Sequence, residues 1–349
     1  MKQDFYDRLP GALLPWFAQN ARELPWRADR EPYHVWLSEI MLQQTRVEAV
    51  RGYYTRFLAA LPDIASLAAA DESVLQKLWE GLGYYTRMRN LQTCAKILMT
   101  DYGGRFPREF ASIRALPGIG DYTAGAVSSI CFDLPEPAVD GNVLRVVSRI
   151  GEVSDPVDAP ATKKAVTEAL RAVYPAGRCG DFTQALMELG ATVCVPNGAP
   201  RCGVCPAQEF CGAYAHGTAS KFPVKKPKKA RREEARTVLI LSCGGRIATR
   251  KRPDTGLLAG LWELPNEPGT LTAQQALDLA SECGAHPLAL TRQADKTHIF
   301  THITWKLRGY YIMCAQEAAS FLWQSPEQAA LPTAFRIFLE GTPRRAKKP

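Results

Sequence analysis

The sequence has no run of about 20 apolar residues, the length that a membrane-spanning helix needs, so we expect no contact with a membrane. The first 17 residues carry acidic side chains and are interrupted by Pro10 and Pro15, which is unlike a secretory signal. No internal repeat is visible. These absences favour a cytoplasmic protein of non-repetitive fold.

The chain has 349 residues, long enough for two domains with a buried core each. Its 43 Lys+Arg outnumber 35 Asp+Glu, giving a formal net charge of +8. The excess lies in residues 221–236, with eight Lys/Arg against two Glu, and in the tail around Arg344 and Lys348. This concentration suggests a polyanionic partner, although solvated charge runs are the alternative.

Ten cysteines in a reducing compartment are not expected to form a disulfide framework. Four of them follow one another within eighteen residues, with seven, two and five residues between them: Cys194, Cys202, Cys205 and Cys211. Thiolates at such spacing can surround one soft metal centre. An iron-sulfur cluster is favoured, with structural zinc and incidental cysteines as alternatives, since zinc knuckles usually pair two C-x2-C units. The other six cysteines read as free thiols.

Composition divides the chain into four parts. Residues 1–215 show helical periodicity and short Pro/Gly connections, and residues 216–236 form a basic, proline-containing linker. Residues 237–340 are predicted to be α+β, with strands at 237–241 and 301–313, a turn at Gly244 and Gly245, and a helix at 273–283. Residues 341–349 form a basic tail.

A Leu-Pro-Gly-Ile-Gly turn ends at Gly120 between two helical stretches, with Asp121 placed to cap the second helix. Such a helix-hairpin-helix turn exposes backbone N–H groups that can bind a phosphate. A nucleotide-binding glycine loop is a poor match, and a plain inter-helix turn remains an alternative. Twenty residues further on is Asp140, which alone would read as a helix N-cap at least as readily as a catalytic group.

The order of hairpin, aspartate and four-cysteine cluster resembles the helix-hairpin-helix DNA glycosylases, the superfamily that includes endonuclease III. In that superfamily, a lysine two residues after the second glycine marks the enzymes that also cleave the strand through a Schiff base. Tyr122 occupies this position here. The resemblance therefore implies a monofunctional glycosylase, which removes a base and leaves the strand intact.

Glu39 lies on a predicted helix beside Val35, Trp36 and Leu42, an apolar surround that raises a carboxyl pKa, while a surface glutamate is the alternative. Together with the runs RELPWR at 22–27, LWEGLGYY at 78–85 and QALMELG at 184–190, this helix is similar to the MutY family of adenine DNA glycosylases. The resemblance covers nearly the whole chain.

The resemblance implies that Glu39 is the general acid that protonates adenine and that Asp140 is the ionised carboxylate at the sugar, oriented by Tyr122 and Asn142. It places the flipped adenine against Arg22, Trp26, Arg27, Leu42 and Gln184. It assigns DNA contacts to Gln44, Thr45, Leu82, Tyr84, Gly118 and Gly120. For Trp26 and Leu82, core packing is the alternative.

The C-terminal part carries GLLAGLWELP at 256–265 and HIFTH at 298–302, which resemble the Nudix-like domain that MutY proteins use to detect 8-oxoguanine. The acidic R-E-x-x-E-E helix of Nudix hydrolases is missing, so we expect binding without hydrolysis. The recognition loop would be Phe300, Thr301 and His302, with Thr301 in place of the usual serine. The cysteine spacing also departs from the family, with seven residues instead of six before Cys202, in a Pro/Asn/Gly loop that can bulge.

The sequence thus predicts a multidomain protein with an all-α helix-hairpin-helix glycosylase domain (1–215) that carries a 4Fe-4S cluster in the loop 194–211. An α+β Nudix-like domain (237–340) follows. The expected function is excision of adenine opposite 8-oxoguanine or G in duplex DNA, by a monomer, nucleoid-associated if bacterial. The alternatives are an endonuclease III-like glycosylase/lyase and a non-catalytic DNA-damage-binding protein.

Overall fold

The computed structural model describes residues 4–227 and 230–339. Lys228 and Lys229 of the basic run and the tail 341–349 lie outside this range. The chain divides into two compact units, one formed by Met1–Asp71 with Thr86–Pro227 and the other by Glu72–Tyr85 with Lys228–Pro349. In the described residues, no helix is long and apolar enough to cross a membrane.

The first unit is built from α-helices and a few short 3-10 turns. In chain order, the α-helices of the described residues are α1 (Asp4–Asn20), α2 (Pro32–Leu42), α3 (Val47–Ala60), α4 (Ile64–Ala69), α5 (Glu72–Trp79), α6 (Thr86–Tyr102), α7 (Phe110–Arg114), α8 (Asp121–Phe132), α9 (Gly141–Gly151), α10 (Pro160–Arg171), α11 (Cys179–Thr192), α12 (Gly212–Ala215), α13 (Ala273–Glu282) and α14 (Thr333–Arg336). Of these, α5, α13 and α14 belong to the second unit.

The N-terminal segment forms one helix, α1, that continues through Pro10 and Pro15. A proline inside a helix costs about 3 kcal/mol, so burial must offset it. Tyr6, Leu9 and Leu13 of α1 are fully buried in a core shared with α9 and α11. Tertiary packing therefore overrides the two helix breakers.

The second unit contains a mixed sheet of β1 (Arg232–Cys243), β2 (Arg246–Lys251), β3 (Trp262–Glu263), β4 (Asn266–Pro268), β5 (Pro287–Ile299), β6 (Ile303–Cys314) and β7 (Leu322–Gln324). The strand order is β3-β2-β1-β6-β5, with β4 paired to β1 and β7 to β2. Strands β1 and β6 are parallel, from Arg232 opposite Ile303 to Ser242 opposite Met313. The predicted α+β character and both predicted strands are present.

Alternation along β1 gives the sheet two buried faces. Val238 and Ile240 belong to one apolar core together with Phe335 of α14, whereas Leu239 and Leu241 belong to another together with α13. Such a period-two pattern is what places successive side chains on opposite faces of a strand. Both faces of the sheet are thus covered by helices.

Part of the segment predicted as a linker is folded. The backbone N–H of Val157 donates to Val224 O (3.0 Å), and that of Lys226 donates to Asp158 Oδ1 (3.2 Å). Strand β1 already begins at Arg232, and Arg236 lies over the Trp305 ring, 5.0 Å from its centroid. The prediction placed these strand residues in a flexible connection, because a basic run looks solvated when its sheet partners are unknown.

Helix α8 lies unusually close to the chain that leads to Asp140. A Cβ added at Gly125 would sit 2.4 Å from Pro137 O and 2.8 Å from Pro137 C, both backbone atoms. Only glycine permits this approach without moving one segment. Gly125 therefore sets the spacing between α8, which carries Tyr122, and the start of α9.

We predict that Gly125→Ala destabilises the protein by about 1–3 kcal/mol, the usual cost of overpacking a close contact. The matched control is Gly11→Ala on α1, where an added Cβ meets nothing within 4 Å. That substitution should be neutral or stabilising by up to about 1 kcal/mol. Urea unfolding of the two variants measures the difference, and equal stability of Gly125→Ala and the parent would refute the packing argument.

Candidate active site

One cavity of about 680 Å³ in the first unit collects most of the predicted site residues. Its walls come from the segment before α2, from α2 itself and from the N-terminal ends of α8 and α9, with α10 and α11 completing them. The predicted residues that line it are Arg22, Trp26, Arg27, Glu39, Leu42, Gln44, Thr45, Gly120, Tyr122, Asp140, Asn142 and Gln184.

Glu39 lies in the last turn of α2 and is only 6% exposed. The Tyr122 hydroxyl donates a hydrogen bond to Glu39 Oε2. Burial raises the pKa of Glu39 from 4.5 to about 7, helped by the charge of Asp140 and opposed by the Tyr122 hydrogen bond and the charge of Arg27. A substantial fraction of this carboxyl therefore carries its proton at neutral pH.

Asp140 is both the N-cap of α9 and a wall of the cavity. Its Oδ1 accepts from the backbone N–H of Asn142 (2.9 Å) and Val143 (2.8 Å), while its Oδ2 accepts from Asn142 Nδ2 (2.6 Å). Burial is the largest influence and leaves the pKa of Asp140 above its usual value, while these three hydrogen bonds and the Arg145 charge limit the rise. Because all three donors need an accepting oxygen, the arrangement favours the ionised form.

Tyr122 was predicted to orient Asp140, but its hydroxyl bonds Glu39 instead. The prediction rested on the family resemblance, whereas the packing of α2 against α8 brings the Tyr122 hydroxyl to Glu39. Asn142 does hold Asp140, through both its backbone and its side chain. Each of the two carboxyl groups thus has a hydrogen-bond partner of its own.

The hairpin before α8 is present, although its cap differs from the prediction. Gly120 is the N-cap, and no side chain caps the helix, while the Asp121 carboxylate pairs with Arg114. Gly118 has φ +75°, and a Cβ there would lie 2.5 Å from Asn90 Cβ, so glycine is required. Gly118 does not line the cavity; it lies beside a separate small cavity near Arg87.

The turn after α2 carries Gln44 and Thr45 at the cavity edge. Arg87 of α6 holds this turn, because its Nη1 donates to the carbonyls of Ile40 (2.6 Å), Met41 (3.1 Å) and Gln43 (2.8 Å). These are carbonyls that the end of a helix leaves without partners. Gln44 is exposed, with φ +59°, a conformation rare for residues other than glycine.

Two site residues were not anticipated. Arg145 of α9 is 7% exposed and donates to Asn142 Oδ1 (2.8 Å), Gly190 O (2.7 Å) and Cys194 O (2.8 Å). Glu188 of α11 is fully buried and binds Arg22 and Arg27. The sequence carried one signal for a special role of Glu188. It is a single charged residue within the apolar helical run LMELG.

The four clustered cysteines line one small, apolar cavity at the end of the first unit, together with Leu189 and Val193. Arg149 Nη1 donates to Cys194 Sγ at 3.3 Å, and Cys211 Sγ lies 3.7 Å from Arg149 O. Within the described ranges, no three His, Cys, Asp or Glu side chains stand in the geometry of a single-ion site. The donor chemistry, four thiols facing one apolar cavity beside a cation, fits a thiolate-bound cluster.

The seven-residue spacer before Cys202 folds back on the helix that precedes it. Arg201 N–H donates to Val193 O at 2.9 Å, and Gly198 has φ +75°. The additional residue is therefore taken up in a turn, as the Pro/Asn/Gly composition predicts.

The remaining predicted residues belong to the second unit. Leu82 is 6% exposed, whereas Tyr84 is 47% exposed with φ +50°. Tyr84 Oη lies 3.2 Å from Thr301 Oγ1. Phe300 packs edge-on against His298 and Trp305, with ring centroids 4.5 and 4.9 Å apart, and Thr301 and His302 are exposed. The burial of Leu82 matches the core-packing alternative for that residue.

Comparison with known proteins agrees with this architecture. A model of the HhH-GPD superfamily of base excision DNA repair proteins matches residues 37–175, and a NUDIX domain model matches residues 236–341. The adenine DNA glycosylase of Mus musculus is 37% identical over 93% of this chain and 76% of its own length. That of Rattus norvegicus is 35% identical over 97% of this chain and 80% of its own.

Among solved structures, a thermostable thymine-DNA glycosylase is 29% identical with a TM-score of 0.56, covering 61% of this chain and 98% of the other. The helical unit with its hairpin matches a helix-hairpin-helix base excision repair glycosylase, here joined to a Nudix-like domain. Within that class, the chain belongs to the adenine DNA glycosylase family, the MutY family.

Proposed function

We propose that this protein is a monofunctional glycosylase that excises adenine opposite 8-oxoguanine or G. The observation that carries the proposal is the pair of carboxyl groups in one cavity, one accepting a single hydrogen bond and the other accepting three. Glu39 is buried and has a pKa of about 7, while Asp140 accepts three hydrogen bonds. Pairs of titratable groups with opposed protonation are typical of acid/base catalysis at a glycosidic bond.

The proposed reaction begins when the adenine leaves the base stack, because its glycosidic bond is inaccessible inside a duplex. The base enters the cavity, where Gln184 can offer a donor and an acceptor to an adenine edge. Trp26, 7% exposed and edge-on to Tyr54, gives the pocket a rigid apolar wall.

Glu39 then donates its proton to the adenine ring, which makes the base a better leaving group. As the bond breaks, positive charge develops on the sugar, and the Asp140 carboxylate stabilises it. The capping amides and Asn142 hold Asp140 in place, so the carboxylate needs no reorganisation as the charge forms. Tyr122 keeps the Glu39 carboxyl oriented.

A strand-cleaving lyase is the competing function within the same fold. Tyr122 stands where such enzymes carry a lysine, and its hydroxyl is engaged by Glu39. Lys163 of α10 also lines the cavity with an exposed side chain. Strand breaks without alkali treatment that vanish in Lys163→Ala would assign lyase activity and overturn the monofunctional proposal.

Recognition of the opposite base is proposed for the loop of Phe300, Thr301 and His302 in the second unit. The support is the exposure of Thr301 and His302 and the contact between the hydroxyls of Thr301 and Tyr84. The exposed basic residues Lys221, Lys225, Lys226 and Arg231 are proposed to lie along the phosphate backbone.

A 4Fe-4S cluster is proposed to be held by Cys194, Cys202, Cys205 and Cys211. When bound, it would supply a cross-link for the loop between them and a one-electron redox centre. The support is that all four thiols face a single apolar cavity next to Arg149. No catalytic step depends on it.

We predict that Glu39→Gln loses roughly 10²-fold or more in single-turnover excision from an A·8-oxoguanine duplex, the usual contribution of general acid catalysis, while duplex affinity is retained. Parent activity should fall as pH rises through about 7, because Glu39 must be protonated. It should also fall in acid, because Asp140 must be ionised. Glu39→Gln should lose the alkaline fall.

The matched control is Glu48→Gln, a glutamate on α3 whose side chain is 80% exposed. It should retain the parent rate and pH profile. Parent-like excision by Glu39→Gln would remove Glu39 from the mechanism. A parent that binds the mispaired duplex without releasing adenine at any pH would instead favour the damage-binding alternative.

The cluster proposal predicts a brown protein with about four irons per chain. Cys205→Ala should lower both the iron content and the visible absorption, whereas Cys243→Ala, at a partly buried cysteine in β1, should change neither. Metal analysis and absorption spectra measure this. A colourless protein with one zinc per chain would contradict the proposal.

A further inference from the structure

The buried Glu188 on α11 forms ion pairs with two arginines, Arg22 and Arg27. Its Oε1 accepts from the backbone N–H of Arg22 (3.2 Å) and from Arg22 Nε (2.6 Å). Its Oε2 accepts from Arg22 Nη2 (3.0 Å) and Arg27 Nη2 (2.8 Å). The Glu188 side chain is 0% exposed, so one fully buried carboxylate pairs with two guanidinium groups, of which Arg22 stays 34% exposed and Arg27 15% exposed.

This carboxylate is ionised. Burial raises its pKa, but the hydrogen bonds and charges of Arg22 and Arg27 outweigh burial and hold the pKa of Glu188 below its usual value. A carboxylate that accepts four hydrogen bonds uses both of its oxygens as acceptors, so these bonds favour its ionised form. Glu188 is therefore a fixed anion of the cavity, in contrast to Glu39, which retains its proton to about pH 7.

Glu39 and Glu188 share one cavity with the two arginines. Both line the cavity with Arg22 and Arg27, and the Arg27 charge already acts on Glu39 by lowering its pKa. Yet across the residues that the structure describes, Glu39 forms no ion pair, whereas Glu188 forms two. Arg27 is further held by its Nη1 on Arg22 O at 3.1 Å and by the Phe17 ring.

Two of the other charged groups near Glu39 already have partners. Asp29, Asp121, Tyr122, Asp140 and Lys163 also line the cavity, Arg87 lies on α6, which packs against α2, and the Glu39 charge acts on the Cys131 thiol of α8. Arg87 is engaged with the carbonyls at the end of α2, and Asp121 with Arg114. Arg22 and Arg27 are arginines that line the cavity, and both pair with Glu188.

We propose that Glu188 is a positioning residue that retains Arg22 and Arg27 so that neither guanidinium pairs with Glu39, which keeps Glu39 available as a proton donor. The inference rests on the proposed role of Glu39. Removing one partner of a buried ion pair leaves an uncompensated charge, which must find another counter-ion. Glu39 is a carboxyl of the same cavity that forms no ion pair among the described residues, and a close guanidinium lowers a carboxyl pKa by one unit or more.

The test is the pH dependence of single-turnover adenine excision by Glu188→Gln. The alkaline midpoint should move down by about one pH unit, so the rate should be about tenfold lower than that of the parent above the parent midpoint and near the parent rate below pH 6. Glu188→Asp keeps the charge but is too short to hold both arginines in full. Its midpoint should move in the same direction by a smaller amount.

Asp181→Asn is a closely matched control on the same helix. Asp181 also holds two arginines, Arg30 (2.7 Å) and Arg178 (3.0 Å), but outside the cavity. Its removal should leave the midpoint unchanged. A rate loss that is equal at all pH values in Glu188→Gln, with an unchanged midpoint, would make Glu188 merely structural and would overturn the proposal.

A readout without catalysis separates this proposal from the proposed function. Carbon-13 NMR titration of the Glu39 carboxyl in the full-length parent, Glu188→Gln and Glu188→Asp reports its pKa directly, whether or not adenine is released. A lower Glu39 pKa in both variants supports the inference, and an unchanged pKa overturns it. If Glu188→Gln does not fold, the Glu188→Asp titration decides by the same criterion.

Discussion

Burial of the Glu39 carboxyl is the constraint on which the arrangement of the catalytic cavity depends. A carboxyl removed from water favours its protonated form, and it does so only while cations stay at a distance. The fold meets both conditions. Helices α2 and α8 enclose Glu39 against Tyr122, while Glu188 on α11 engages the two arginines of the same cavity. Burial raises the pKa of both Glu39 and Asp140, but Asp140 accepts three hydrogen bonds whereas Glu39 accepts one, from Tyr122.

Helix α9 connects the proposed reaction centre to the cysteine loop. Its N-cap is Asp140, its Arg145 bonds both Asn142 and the carbonyl of Cys194, and its Arg149 reaches Cys194 Sγ. Arg149 also donates to Ala219 O (3.0 Å) and Phe222 O (3.2 Å). One helix thus contacts the aspartate, the cysteine loop and the segment that leaves the helical unit. The geometry of Asp140 therefore depends on residues far along the chain.

Much of the fold and several site residues could be predicted because their signals are local. The hairpin glycines, the helix around Glu39 and the apolar run of β1 each follow from a few neighbouring residues. The prediction that one site contains Glu39, Asp140 and Gln184 came from the family resemblance. In the structure, the three residues line one cavity.

Predictions failed or were incomplete where a partner lies far away in sequence. Tyr122 bonds Glu39, 83 positions away, and not Asp140. Glu188 meets Arg22 across 166 positions, and Arg145 meets Cys194 across 49. The segment Glu72–Tyr85 was counted with the helical domain but groups with the second unit, where Lys77 Nζ donates to Glu327 O at 3.0 Å. Such pairings depend on helix packing, which periodicity does not encode.

The central claim is that burial keeps Glu39 protonated to about pH 7. The most direct test compares the unfolding free energies of the parent and Glu39→Gln as functions of pH. A raised pKa in the folded state adds stability at low pH that is lost as pH rises through the folded value. The account predicts that the parent loses stability relative to Glu39→Gln between about pH 4.5 and 7 and stays less stable above that range. A constant difference between the two proteins from pH 4 to 9 would contradict it.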